Sequence, residues 1–598
     1  MQCLKIDETG RYMNVLLGAA GFSSQVRASV IETAVERGKH IELEPAGKLV
    51  NESISMLTLK RRVSEPCTRI AENDVAVFGY TGHVVADGLP LCPDADSLLD
   101  RLIPNAGAAI ESLDGLYAMA LYRKQEGELI LGTDRYGFSP LYLLHTSDGL
   151  IFSSSMDLVI RTAPVDLHIN TEAVSEFLQI QYCLQGKTFV SEIQYMPQGC
   201  IVTYNARQRS LRSRPYFEYR RQPVPETVVT DEVVSGLAAE IGRGALRRVE
   251  ENREHLCLLS GGRDSRSIAG ALTHAGVEFS TLTTDPDNGA LFDPDLALEV
   301  ARTLEVKNTF VPLPSDYVER TWRDKCEAVD FSTALHTWIM HLAASGGHDG
   351  AVTFDGLIGD VMLKPHMLDA AHLELLKNRR LRALADELTT FMFAGRTLSN
   401  FLRPQVAEHW KEGLTSTVRR EIREYDGHPN TVSFFWLQHR SRRAIASSPC
   451  SMLNRRWLMV TPFTDPSVFH LAMGIPPQTK LGGNVNTRII GAIDPRLAAI
   501  PLGSDTVWPS GFKRRPRTRL SIQSPGALSS YLEVIDQESE IISSILNPKW
   551  MARIRTGLDA GPLERWEYLR DAGIMAEFCY WLQTYRGKVN IDAIDRPC

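Results

Sequence analysis

His255-Leu256-Cys257-Leu258-Leu259-Ser260-Gly261-Gly262-Arg263-Asp264-Ser265 is the stretch on which the reading of this chain turns. The apolar run His255–Leu259 has the length and texture of a strand buried on both faces. Beyond the glycine pair, Ile268, Ala269, Ala271 and Leu272 mark a helix that begins near Ser267 and ends at Gly276. Strand, tight glycine turn and helix in that order bring backbone N–H groups to the positive end of a helix, where an anion is best stabilised. Two glycines alone would signal an ordinary tight turn. The hydroxyls of Ser260 and Ser265 on either side, with an inward carboxylate at Asp264 suited to Mg²⁺, point to phosphate instead. No G-x-x-x-x-G-K-[ST] occurs in the chain, so this is not a Walker loop.

Downstream, Phe279–Thr284, the helical segment Asp295–Leu304 and Thr309–Leu313 continue a β-α-β-α-β rhythm, which predicts a parallel sheet covered by helices on both faces. Upstream, Val233, Leu237, Ile241, Ala245 and Val249 form the stripe of an amphipathic helix. The polar, proline-bearing stretch 205–230 reads as the main linker. Before it, YAMALY (117–122), ELILGT (128–133) and LIFSSS (150–155) predict antiparallel strands, so the first ~210 residues read as β-rich. From residue 366 onward the pattern is mostly helical.

The chain has 598 residues, room for about three domains of ~100–200 residues each. With 43% hydrophobic and 23% charged residues it has ordinary globular composition. Sixty-five Lys+Arg against 72 Asp+Glu give a net charge of −7, so no global basic field draws it to nucleic acid or to an acidic membrane. Its ten cysteines show no C-x-x-C and no zinc spacing. The N-terminus lacks a signal peptide, and no apolar run reaches the ~18–20 residues that span a bilayer. A cytoplasmic protein with free thiols is expected.

The Leu-Ser-Gly-Gly-x-Asp-Ser loop resembles the pyrophosphate loop of the asparagine synthetase superfamily of ATP pyrophosphatases, and the resemblance runs through nearly the whole chain. Leu113–Ala118, Asp134-Arg135-Tyr136-Gly137-Phe138-Ser139-Pro140-Leu141-Tyr142 and Met196-Pro197-Gln198-Gly199 resemble signatures of its glutaminase-like half. Asp355-Gly356-Leu357-Ile358-Gly359-Asp360 resembles its S-G-E-G-x-D segment. Pro462–Asp465, Ile475-Pro476 and Arg488-Ile489-Ile490 resemble its late P-F-x-D … L-P … K-x-x-L-R region. The likeness implies an α+β N-terminal-nucleophile-hydrolase-like sandwich over residues 1–215. An α/β ATP-pyrophosphatase synthetase domain with a helical C-terminal part would follow over 216–598. It further implies ATP on Leu259, Ser260, Gly261, Gly262, Asp264, Ser265, Leu282, Thr283 and Gly356, and Mg²⁺ on Asp264 and Asp360. A catalytic cation would stand at Arg488, with Lys480 as the alternative.

The departures from the family pattern carry their own information. Glutamine-hydrolysing members use a cysteine at position 2 whose free α-amine serves as base, but position 2 here is Gln. Cys3 therefore stays internal and reads as a small hydrophobe. The usual Asn-Gly is Thr81-Gly82, and the Glu of S-G-E-G-x-D is Leu357, which cannot be a base. The first domain accordingly reads as a glutaminase fold without ammonia production, and asparagine synthesis is disfavoured.

The overall likeness is to the lasso-peptide macrolactam synthetases. That branch implies a leader-cleaved precursor peptide as substrate, and a leader peptidase and leader-recognition protein as partners. A β-lactam synthetase-like or other small-molecule amide-forming enzyme is the alternative, and a nucleotide- or peptide-binding scaffold is the alternative from another class. The basic run Phe512–Arg519 reads as a solvated loop or a contact for phosphates or an acidic peptide. His336 and His341 read as packing residues.

Overall fold

Burial with period two builds the N-terminal half. In the computed structural model, Leu16, Met56, Ala118 and Leu131 enter one core, while their chain neighbours Leu17, Leu57, Tyr117 and Ile130 face the outer layers. The model describes residues 14–41, 43–61, 68–225, 228–285, 287, 292–345, 347–363, 368–393, 395–502, 524, 526–556 and 562–594. Cys3 and the run 512–519 lie outside them. Two six-stranded antiparallel sheets enclose the inner core. One is ordered Ile193–Tyr195, Tyr142–His145, Leu150–Ser153, Val15–Ala20, Ile54–Arg61, Leu43–Val50. The other is ordered Ser210–Pro215, Cys200–Asn205, Glu128–Thr133, Asp114–Arg123, Ala76–Val85, Thr68–Glu72. Helix Ser24–His40 covers the first sheet, and helices Ala95–Leu102 and Ala106–Ser112 cover the second. The α+β sandwich is the glutamine amidotransferase-type fold expected.

The linker starts later than expected. Residues 200–215 form a hairpin in register Cys200↔Pro215, with the Arg207 and Gln208 N–H groups donating to Asn205 Oδ1 at 3.0 and 2.9 Å. Its outer strand Ser210–Pro215 is a mostly exposed sheet edge, so its polar composition mimics a loop.

The second half is a five-stranded sheet ordered Asn308–Val311, Ser280–Thr284, His255–Leu258, Val352–Phe354, Leu458–Val460, with every neighbouring pair parallel. The last strand lies inside the region expected to be mostly helical. Helix Asp231–Leu246 buries Val234, Leu237, Ala238, Ile241 and Ala245. The expected Val233 is only half-buried, and Val249 lies past the helix end. Helix Arg263–His274 stops where Gly276, at φ +71°, takes a left-handed turn that a side chain would resist. Of the described cysteines, Cys183, Cys200, Cys257, Cys326, Cys450 and Cys579 are free, whereas Cys92 is disulfide-bonded, so the expectation of free thiols does not hold for it. No described helix is long and apolar enough to cross a membrane.

Charges join the halves. The fully buried Arg248 lies 2.5 Å from Asp114 Oδ2 on the N-terminal sandwich and 3.4 Å from Asp465 Oδ2 beyond the parallel sheet, and donates to the Gly244 carbonyl at 2.8 Å. Removing one partner of such a pair strands buried charge. Arg248→Met should therefore cost about 3–5 kcal/mol of unfolding free energy, read as a lowered urea midpoint with an unchanged slope.

Candidate active site

The first strand of the parallel sheet, His255–Leu258, is central. The chain adds two strands on one side of it and then returns to add Val352–Phe354 on the other. This is a topological switch point, where the carboxyl ends of neighbouring strands open a crevice that binds ligands. Ser260–Ser265 follows the first strand and Asp355–Asp360 follows the second, and both segments line one cavity of about 340 Å³. That volume falls within the usual range for small-ligand sites, about 300–1,000 Å³.

The phosphate-type turn is tied internally. Ser260 Oγ accepts the Gly262 N–H at 3.1 Å and lies 3.1 Å from Ser265 Oγ, while the Ser260 N–H donates to Ser265 Oγ at 3.2 Å. Gly262 stands at the N-cap of helix Arg263–His274 without a side-chain cap, so the helix end faces the cavity. The buried Arg266 holds the turn from behind, donating to the carbonyls of Gly261, Leu497, Ile500 and Pro501 at 2.7–3.0 Å.

Asp264 sits against the 355–360 turn so closely that a Cβ on Gly359 would lie 2.6 Å from its Cγ, and one on Gly356 2.9 Å from its Cβ. Ile358 between them holds φ +64°. Asp264, Asp355 and Asp360 all line the cavity. Burial pushes the Asp355 carboxyl up to about 6, and the charge of Asp360 adds to the rise, although the Leu357 N–H donates to Asp355 Oδ1 at 2.8 Å. Among the described residues no cluster of three or more His, Cys, Asp or Glu could hold a metal by itself. Mg²⁺ is commonly held by one or two carboxylates together with phosphate oxygens and water. Asp264 and Asp360 have the right chemistry for that role.

Of the residues expected to bind ATP, Leu259, Ser260, Gly262, Asp264, Ser265, Leu282, Thr283 and Gly356 line the cavity. Gly261 does not line it, and its carbonyl is engaged by Arg266. Arg488 is not brought there either. Its guanidinium bonds Asp231 Oδ1 at 2.7 Å on the exposed surface. The reason is helical phase. On helix Asn484–Ile493, Asn486 donates to Asp264 Oδ1 at 3.3 Å. A residue two positions on, about 200° around the helix, must face away. Lys480 is fully buried 3.5 Å from Asn430 Oδ1, burial pushes its ammonium down to about 7, and it does not line the cavity.

Sequence reasoning missed Asn486 and Asp355 as site residues, although Asp355 opens the quoted turn. It also missed His336, which lines the cavity and is 2.9 Å from Ser448 Oγ through Nδ1. His341 instead faces the Pro312 carbonyl at 3.2 Å. Thr81, Gly82 and His83 border a separate cavity of about 30 Å³, room for about one water, which Pro449, Cys450, Asn454 and Met459 line from the other half.

Two family models match the chain: the glutamine amidotransferase domain over residues 93–217 and asparagine synthase over residues 238–492. Residues 238–492 are thus similar to asparagine synthases. Among its relatives, a putative glutamine-hydrolysing asparagine synthetase of Mycobacterium tuberculosis is 24% identical over 33% of this chain and 31% of its own length. Glutamine-hydrolysing asparagine synthetase 1 of Bacillus subtilis is 22% identical over 35% of this chain and 33% of its own length. The chain thus spans about a third of the length of these asparagine synthase-family relatives in the match. A solved glutamine phosphoribosylpyrophosphate amidotransferase of B. subtilis is similar over 50% of this chain and 80% of its own. At 10% identity and a TM-score of 0.24, that likeness carries no argument.

The close approach of Asp264 to the 355–360 turn makes Gly359 the most sensitive backbone position of this site. A methyl there must displace the carboxylate, and overpacking of this kind costs about 1–3 kcal/mol. Gly359→Ala should weaken MgATP binding by about tenfold or more by calorimetry, with an unchanged circular dichroism spectrum.

Proposed function

We propose that the protein is an ATP-dependent macrolactam synthetase. It adenylates the side-chain carboxylate of an Asp or Glu in a leader-cleaved precursor peptide and closes an isopeptide ring with the peptide's N-terminal amine. The observation that carries the adenylating part is the meeting of the Ser260–Ser265 turn, Asp264 and Asp360 at one switch-point cavity. A carboxylate is a poor electrophile because oxide is a poor leaving group, so it is first converted to an acyl phosphate anhydride with AMP. Positioned N–H donors at a helix N-terminus suit the charge that develops on the departing pyrophosphate. Asp264 and Asp360 would hold Mg²⁺, which neutralises phosphate charge during that departure.

The choice of nucleophile rests on Leu357, buried in the cavity wall at the position where the family pattern has Glu. A leucine neither binds ammonia nor takes its proton. Tethering amine and carboxylate in one molecule removes the entropy cost of a third partner. Trp338, Ile339 and Leu342 give the cavity an apolar wall that would keep water from the adenylate. A leader peptidase and a leader-recognition protein would act before this step, in the cytoplasm.

Incubated with MgATP and a leader-trimmed peptide encoded beside its gene, the protein should yield AMP, pyrophosphate and a peptide lighter by one water whose α-amine no longer reacts with acylating reagents. Conversion of a small β-amino acid, or of aspartate with ammonia, without cyclisation of any such peptide would replace this reading with a small-molecule amide synthetase. Asp264→Asn and Asp360→Asn should each lower carboxylate-dependent ATP–pyrophosphate exchange by about a hundredfold or more. Cys3→Ala should leave the synthetase reaction unchanged, and the wild-type protein should release no ammonia from glutamine.

A further inference from the structure

With leucine in place of the glutamate, the amide-forming step lacks its usual proton acceptor, and the cavity wall contains one neutral imidazole. His336 lines the same cavity as Asp264 and Asp360. Its Nδ1 is 2.9 Å from Ser448 Oγ, a residue of the same wall, and its ring packs edge-on at 6.3 Å from Trp338. When Nδ1–H donates to Ser448 Oγ, Nε2 carries the lone pair that can accept a proton.

The backbone is built to hold that ring. Asp330, Phe331 and His336 sit at φ +47°, +56° and +65°, left-handed conformations that side chains tolerate only when the surroundings enforce them. The surroundings come from both halves of the molecule. Asp330 accepts the Met156 and Asp157 N–H groups at 2.9 and 3.3 Å. The Ala334 N–H donates to the Gln181 carbonyl at 3.0 Å. Lys325 Nζ, buried against Glu577 at 2.7 Å, donates to the Thr333 carbonyl at 2.6 Å. The sandwich domain therefore helps fix the turn that presents His336.

We infer that His336 is the general base of the amide-forming half-reaction, an inference that rests on the adenylating reading above. The amine nitrogen bonds to the acyl carbon, and the C–O bond to AMP breaks with its electron pair leaving on the phosphate oxygen. The nitrogen's proton passes to His336 Nε2 and from there to solvent. Burial, with the charges of Arg440 and Lys325, pushes the imidazole down to about 3, so the ring is unprotonated at neutral pH. A weak base suffices, because the nitrogen becomes strongly acidic as the C–O bond breaks and it turns into an amide nitrogen still carrying the proton.

The test uses the full-length protein and whichever carboxylate the wild type converts: the leader-trimmed peptide, a small β-amino acid, or aspartate with ammonia. It is thus independent of the macrolactam assignment. Hydroxylamine, a strong nucleophile that is largely unprotonated at neutral pH, traps the adenylate without a base. His336→Gln should keep ATP–pyrophosphate exchange and hydroxamate formation within about twofold of wild type, while amide formation falls by about a hundredfold or more. Ser448→Ala, which keeps the imidazole but frees its tautomer, should slow amide formation by about tenfold and leave exchange alone. If exchange, hydroxamate and amide fall together in His336→Gln, the residue is structural and the inference is overturned. It is equally overturned if amide formation persists, or if Asp355→Asn shows the split instead.

Discussion

The site depends on how closely Asp264 rests on the 355–360 turn. Two loops from different strands converge only because Gly356 and Gly359 leave the space that the Asp264 side chain fills. That contact fixes the N-terminal end of helix Arg263–His274 relative to Asp360, and so sets the geometry available to any ligand spanning both. Arg266 ties the same turn to the carbonyls of 497–501. The floor of the cavity is thus anchored to the helical part of the chain as well as to the sheet.

The same logic explains the N-terminal sandwich. Its hydrogen bonds to Asp330 and Ala334 hold a turn whose backbone would otherwise relax out of the left-handed region. The sandwich thus has physical work as a brace. Arg442 adds to the junction by reaching the Gly137 carbonyl of the sandwich at 3.2 Å.

Much of this was legible in residues 255–265, where an apolar run, a glycine turn and an apolar helix face agree with one another, and in the alternation of the early strands. The signal was local, and so was its reach. Arg488 fits the late family pattern, but the helical phase set by tertiary packing brings Asn486, not Arg488, to Asp264. His336 has no motif because its partner Ser448 stands 112 residues away and its conformation is imposed by contacts from both halves. Residues 205–215 of the hairpin read as linker because an exposed edge strand has the polar composition of a loop.

Arg248 carries a final consequence. Its guanidinium is wholly enclosed, and the two carboxylates beside it come from opposite halves of the chain. Separating the halves would leave Asp114 exposed on one piece, and Arg248 with Asp465 on a bared face of the other. The halves are therefore not interchangeable modules. A sandwich borrowed from a relative would need a carboxylate at this one spot before it could dock, so recombination between family members is constrained at the seam more tightly than sequence identity suggests.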